Sequence, residues 1–298
     1  MIPACKLCPR RCGAARGAAG TGACKSGETA RVARAALHAW EEPPISGSRG
    51  SGAVFFTGCP LGCVFCQNYE ISAGENPGKA FSPRELSDLF FSLVEQGAHN
   101  INLVTPTHFL PQVRQALLQK KLPVPVVYNT SGYERVEALR TLEGLVDIYL
   151  PDYKYAQPDL AADLSRAPDY PEAARAAIAE MVRQVGAPQY GEAGIMTRGV
   201  LIRHLILPGH TKNSLAVLRS IAERFPGVPV SLMAQYTPWG LAAREGGVPG
   251  HPELSRPITK RELQKVQEEL FALGLEGFVQ SRKARGERFI PDFHQFGT

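Results

Sequence analysis

From residue 53 onward the chain alternates short apolar, β-branched runs with longer amphipathic stretches, and this alternation restricts the fold more than any other feature. The strand-like runs are AVFFT (53–57), NINLVT (100–105), VPVVYN (124–129), VDIYL (146–150), GVLIRHLIL (199–207), PVSLMA (229–234) and EGFVQ (276–280). Helix-like stretches separate them: 82–97, with Ser82 placed to cap it and Pro83 in its first turn, then 110–120, 134–142, 171–186, 214–225 and 259–273. Strand, helix, strand repeated in this way predicts a parallel sheet. At 298 residues a full or partial (β/α) barrel is the expected architecture, with a doubly wound open sheet as the alternative. The connection 155–170 reads as an irregular lead into a helix. The connection 239–256, rich in glycine and proline, reads equally as a lid or as an ordinary long surface loop.

In a barrel the chemistry collects at the carboxyl ends of the strands. Here those ends carry a cysteine-rich loop, PTH (106–108), TSGYE (130–134), PDYK (151–154), PGHTKN (208–213), QYTP (235–238) and SRK (281–283), whereas the opposite loops, such as QGAHN and QKKLP, are plain turn material. The asymmetry predicts one active face. All seven cysteines lie within the first 66 residues. A chain of this size buries enough apolar surface to fold without disulfides. Its first residues lack an apolar signal core, and no apolar run approaches the ~18 residues that span a bilayer. The expectation is a soluble cytoplasmic protein, in which clustered cysteines are metal ligands. The net charge of +5, from 33 basic and 28 acidic residues, is spread along the chain. The short basic group RKARGER (282–288) has no interleaved aromatics, which argues for a solvated face and against a nucleic-acid partner.

The loop GCPLGCVFCQN places Cys59, Cys63 and Cys66 within eight residues as C-x3-C-x2-C. A structural zinc site or a ferredoxin-type cluster takes four protein ligands. Three thiolates match a third arrangement, in which three irons of a four-iron cluster are held and the fourth stays open to a ligand.

This loop, placed after the first strand of the repeat and with Phe65 before its last cysteine, closely resembles the radical S-adenosylmethionine (SAM) superfamily. The resemblance implies a partial (β/α)6-type TIM barrel, a 4Fe-4S cluster on Cys59, Cys63 and Cys66, and SAM chelated at the open iron. It further implies one-electron cleavage of SAM to methionine and a 5'-deoxyadenosyl radical that abstracts hydrogen, with a reducing partner such as a flavodoxin or ferredoxin. Most of the chain is similar to the homologues of pyruvate formate-lyase activating enzyme, through CKLCPRRCG, EEPPISG, NLVTPTHFLPQV, VYNTSGYE, DIYLPDYKY and LIRHLILPGHTKNS. That likeness implies a protein or peptide substrate. Chemistry on a small molecule or nucleic acid, or a non-catalytic iron-sulfur or zinc protein, are the competing functions. Asp152 and Lys154 match the D-x-K that lies against SAM in the activating enzymes, although an Asp and a Lys at a strand end also suit a structural pair. Arg203 and His204 match their fifth-strand segment, and strand alternation points only one of the two inward, for which Arg203 is the expected residue. Met233 and Gln235 fall where that family meets adenine. Where the family carries a Gly-Gly-Glu run for the SAM amino group, this chain has VTPTHF, so Thr105 and His108 are candidate cofactor contacts, His108 equally suiting a plain helix start.

Four further cysteines, Cys5, Cys8, Cys12 and Cys24, form C-x2-C-x3-C-x11-C. The set is complete for a tetrahedral zinc ion or an auxiliary iron-sulfur cluster, and Lys6, Arg10, Arg11 and Arg16 would offset its negative charge. The expected organisation is a metal-binding segment and lead-in over residues 1–50 and a barrel over 51–298.

Overall fold

A computed structural model describes residues 4–17, 20–73, 76–280, 291–293 and 295–296. The basic group 282–288 and the loop 281–283 lie outside the described residues.

Eleven strands and nine α-helices are present among them. The strands are β1 (Ala30–His38), β2 (Ser51–Phe56), β3 (Lys79–Phe81), β4 (Ile101–Val104), β5 (Val126–Thr130), β6 (Ile148–Pro151), β7 (Gln189–Tyr190), β8 (Met196–Val200), β9 (Ile202–Leu205), β10 (Val230–Met233) and β11 (Gly277–Val279). The helices are α1 (Pro43–Ser46), α2 (Tyr69–Ser72), α3 (Pro83–Glu95), α4 (Leu110–Gln119), α5 (Val136–Arg140), α6 (Pro158–Ser165), α7 (Tyr170–Val185), α8 (Thr211–Arg224) and α9 (Lys260–Ala272).

Parallel pairing runs β2-β4-β5-β6-β8, and β9-β10-β11 continues it. A parallel bridge between Asp152 and Arg203 joins the two sets. Each parallel strand therefore lies beside its successor in sequence. A doubly wound sheet reverses its strand order at a switch point, and no reversal occurs here, so the partial barrel is the architecture adopted. The run 199–207, expected as one strand, is broken at Leu201. Its first part pairs with β6 and its second with β10, and this break carries the sheet around its curve.

The amphipathic pattern explains the outer layer. In α3, Ser82 accepts the Glu85 N–H while the Glu85 carboxylate accepts the Ser82 N–H at 2.8 Å, a capping box that contributes about 1 kcal/mol. Leu86, Phe90 and Leu93 then fall on one buried face, each side chain contributing roughly 1.5–3 kcal/mol on burial. The connection 155–170, expected to be irregular, contains the full helix α6, bounded by Pro158 at its start and by Arg166 in a left-handed conformation at its end. The lead-in before residue 50 also has regular structure: β1 pairs antiparallel with β2 and extends the barrel's own sheet. No helix among the described residues is long and apolar enough to cross a membrane.

Candidate active site

A cavity of ≈ 380 Å³ opens at the carboxyl ends of the parallel strands. Cys59, Cys63 and Cys66 from the loop after β2 line it, facing Asp152 and Lys154 after β6 and Arg203 on β9. Thr105, Thr130, Ser131, Met233 and Gln235 reach it from the ends of β4, β5 and β10, and Phe55, Leu61, Phe65, Val104 and Leu205 form its apolar wall.

Hydrogen-bond donors surround the sulfurs. Ser165 Oγ on α6 donates to Cys63 Sγ at 3.1 Å and is itself 2.7 Å from Tyr155 Oη. Leu61 N–H points at Cys59 Sγ from 3.4 Å. Burial pushes the Cys59 thiol up to about 12 and the Cys66 thiol up to about 11, and the neighbouring thiols add to both shifts. Cys59 and Cys66 are costly to ionise alone, but the three sulfurs, supplied with N–H and O–H donors and with the Lys154 cation beside Cys63 and Cys66, form a donor set suited to iron, which would neutralise them on binding. The residues present fit a three-thiolate cluster site.

Opposite the thiols lies a charged layer. Lys154 Nζ sits 2.6 Å and Arg203 Nε 3.0 Å from the two oxygens of Asp152. Burial alone would raise the Asp152 pKa, but these cations hold it below the ordinary value. Arg203 also reaches Glu41 Oε2 at 3.2 Å and Asn129 Oδ1 at 2.5 Å. Asn102 and Asn129 donate to Glu41 Oε1 at 3.1 and 3.2 Å, and burial raises the Glu41 pKa against the pull of Arg203. The alternation along β9 turns His204 away from the cavity. It is fully buried between Tyr153 O at 2.7 Å and Ser214 Oγ at 2.9 Å.

Sequence reasoning missed Glu41, Asn102 and Asn129. Glu41 belongs to the EEPPISG segment and enters the cavity because β1 delivers it there beside β2, alongside His38 and the exposed Trp40. Thr105 lines the cavity with φ +59, a left-handed conformation that costs a β-branched residue about 1–3 kcal/mol and that clusters at functional sites. His108 is not among the residues lining the cavity. Its Nε2 donates to Thr57 O at 2.6 Å behind the cysteine loop, and burial pushes its pKa down to about 4, so the ring is neutral and fixes the start of that loop.

The amino-terminal cysteines lie against the same loop. Cys8 neighbours Cys24 and Cys5, and Cys12 hydrogen-bonds with Cys5. Burial pushes Cys8 up to about 12. For Cys12 burial acts the same way, but the N–H groups of Ala14 and Ala23 outweigh it and hold the thiol below its ordinary value. The four thiols share one segment with backbone donors, but no three of their sulfurs lie within 4.8 Å of one another, so a tetrahedral ion would have to draw them closer. Arg10, expected to offset their charge, instead turns away to the cysteine loop: Nε donates to Pro60 O at 2.8 Å, Nη2 to Leu61 O at 3.2 Å and Ser165 O at 2.7 Å, and Nη1 to Arg166 O. Gly58, at φ +79, permits the contact on the other side, where a Cβ would lie 2.4 Å from Cys24 O.

Residues 53–221 match the Radical SAM superfamily. A curated relative, "Uncharacterized protein MJ0674" of Methanocaldococcus jannaschii, is 28% identical over 241 residues, 78% of this chain and 64% of the relative, so the match spans less than two thirds of that protein. Among solved structures, Streptococcus suis SuiB bound to precursor peptide SuiA superposes with a TM-score of 0.50 at 12% identity, covering 75% of this chain and 46% of SuiB. Methylornithine synthase (PylB) gives a TM-score of 0.44 at 14% identity over 74% of this chain and 68% of that one. Superfamily members are enzymes that use a 4Fe-4S cluster and SAM. With its three-cysteine loop at the strand ends and more than half its length matched, the chain belongs to the radical SAM superfamily.

Proposed function

We propose that this chain is a radical SAM enzyme in which Cys59, Cys63 and Cys66 hold a 4Fe-4S cluster and which acts on a protein or peptide, in the manner of a glycyl-radical-activating enzyme. The observation that carries the reading is the convergence of three half-buried, donor-supplied thiols with Asp152, Lys154 and Arg203 in one cavity. When bound, the cluster and SAM supply one-electron cleavage of the sulfonium and a 5'-deoxyadenosyl radical for hydrogen abstraction.

The chain's own residues then have distinct tasks. Lys154 offers its ammonium to the SAM carboxylate, and Asp152 accepts from the SAM amino group or a ribose hydroxyl. Arg203, anchored by Glu41 and Asn129, holds Asp152 ionised and in place. Thr105, at the end of β4, stands where the family's Gly-Gly-Glu run would be and lends its hydroxyl and backbone. His108 supports the cysteine loop from behind. The apolar wall of Phe55, Leu61, Phe65, Val104 and Leu205 excludes water and stray hydrogen donors. A cavity of ≈ 380 Å³ lies at the small end of the roughly 300–1,000 Å³ typical of ligand sites. SAM would fill most of it, so the substrate presents itself at the mouth near Trp40, as an extended backbone does. A reduced flavodoxin or ferredoxin is the matching electron donor. Cys5, Cys8, Cys12 and Cys24 hold a zinc ion, with an auxiliary iron-sulfur cluster as the alternative.

Individual Cys59→Ala, Cys63→Ala and Cys66→Ala substitutions test the assignment. Each is expected to abolish SAM cleavage while circular dichroism stays that of the parent. Cleavage retained by any one of them removes the three-thiolate site.

A further inference from the structure

We propose that His210, His251 and Glu253 form a binding site for a divalent transition-metal ion of the zinc class, separate from both cysteine sites. One ligand atom from each residue lies within 4.8 Å of the other two. His210 Nε2 is 2.9 Å and His251 Nδ1 is 3.8 Å from the same oxygen, Glu253 Oε1, with the two rings 5.1 Å apart. Two imidazoles and a carboxylate make up the three-ligand set that leaves zinc one open position.

Two details favour a metal over a plain ion-pair cluster. The far nitrogen of His251, Nε2, faces Asp163 Oδ2 at 3.3 Å, the carboxylate-histidine pairing that fixes a ligating ring's tautomer and turns the other nitrogen's lone pair inward. His210 Nε2 is shielded from solvent and makes no well-aligned hydrogen bond, although Glu253 Oε1 lies 2.9 Å away, an arrangement that an ion shared by the two would satisfy.

Several contacts already bring the framework of the site together. Gly209 stands at φ +77, and a Cβ there would lie 2.2 Å from Glu253 Cγ, so only glycine lets the β9–α8 turn touch the connection 239–256. Gly209 N–H donates to Glu262 Oε1 at 2.7 Å, and Arg256 grips both oxygens of Glu262 at 2.9 Å. The same connection donates Leu241 N–H and Ala242 N–H to Val64 O, at 3.1 and 3.3 Å, inside the cysteine loop. An ion at this site staples the connection to the barrel and so steadies the backbone beside Cys63.

To test this, protein with its cysteine sites loaded is dialysed against micromolar zinc chloride, and metal per chain is measured by mass spectrometry for wild type, His251→Ala and His210→Asn. The wild type is expected to retain one zinc ion more than either variant, at equal iron and sulfide. Zinc should also slow tryptic cleavage within 239–256 in the wild type alone. Equal zinc in all three proteins overturns the site and leaves an ion-pair cluster. Asparagine is a favoured residue at the position before α8 that His210 occupies without a side-chain cap, so His210→Asn gives the comparison even if His251→Ala folds poorly.

Discussion

Arg10→Ala should loosen the cysteine loop without removing a single sulfur. The Arg10 guanidinium bonds four backbone carbonyls, two in the loop and two at the end of α6, and lies 5.5 Å from the centre of the Tyr133 ring. A typical hydrogen bond contributes about 0.5–1.5 kcal/mol net, and a partly exposed cation–π contact about 0.5 kcal/mol. Because the carbonyls partly rehydrate in the variant, the loss is about 3–4 kcal/mol. With a urea m near 3 kcal/mol/M, the midpoint falls by about 1 M. Arg10→Lys should recover only about 1 kcal/mol, since an ammonium cannot span four acceptors in a fork. The assay is urea unfolding of the three proteins, with iron per chain after reconstitution as the local readout, which should drop in Arg10→Ala. A midpoint within about 0.2 M of the parent, together with full iron loading, would refute the idea that the amino-terminal segment clamps the loop.

Asp152→Asn leaves Lys154 and Arg203 without their shared carboxylate, a loss of about 3–5 kcal/mol at neutral pH. Because the folded Asp152 pKa is depressed, that contribution is complete above about pH 4 and is lost as pH falls through the lower folded value, so denaturation curves of variant and parent should converge only in acid. Glu134 behaves oppositely. Burial outweighs the Thr107 and Thr130 hydroxyls and lifts its pKa to about 7, so between about pH 4.5 and about 7 the folded state keeps a proton that the unfolded chain has lost, stability falls across that window, and Glu134→Gln should exceed the parent's stability by about 3 kcal/mol above it. Thr105→Gly relieves a left-handed β-branched residue and should raise stability by about 1 kcal/mol net of glycine's extra unfolded freedom, while calorimetry should show weaker SAM binding.

The local features were readable from sequence and the ones that depend on chain crossing were not. Cys59, Cys63 and Cys66 sit in one loop, so their spacing alone carried the chemistry, and the strict alternation of β9 sent Arg203 inward and His204 outward. Asp152 and Lys154 were expected against SAM. The structure adds that they pair with each other and with Arg203, so removing either also costs stability. Glu41 escaped notice because β1, with its alanine-rich ARVARAALH, lacks the β-branched alternation of the other strands, and its antiparallel pairing with β2 is a long-range contact no local pattern encodes. Helix α6 was hidden by prolines at 158 and 168, which read as loop although Pro158 only opens the helix. His108 was placed by sequence at the strand-end face, yet the turn at 107–109 points its ring back under Thr57.

The central claim, that three thiolates leave one iron open to SAM, is tested most directly by reconstituting the protein anaerobically, reducing it with SAM present, and measuring 5'-deoxyadenosine against iron, sulfide and zinc per chain. The account predicts 5'-deoxyadenosine from protein carrying about four irons at the barrel site and one zinc at Cys5, Cys8, Cys12 and Cys24. A fully loaded cluster that yields none, with SAM leaving the spectrum of the reduced cluster unchanged, would contradict it.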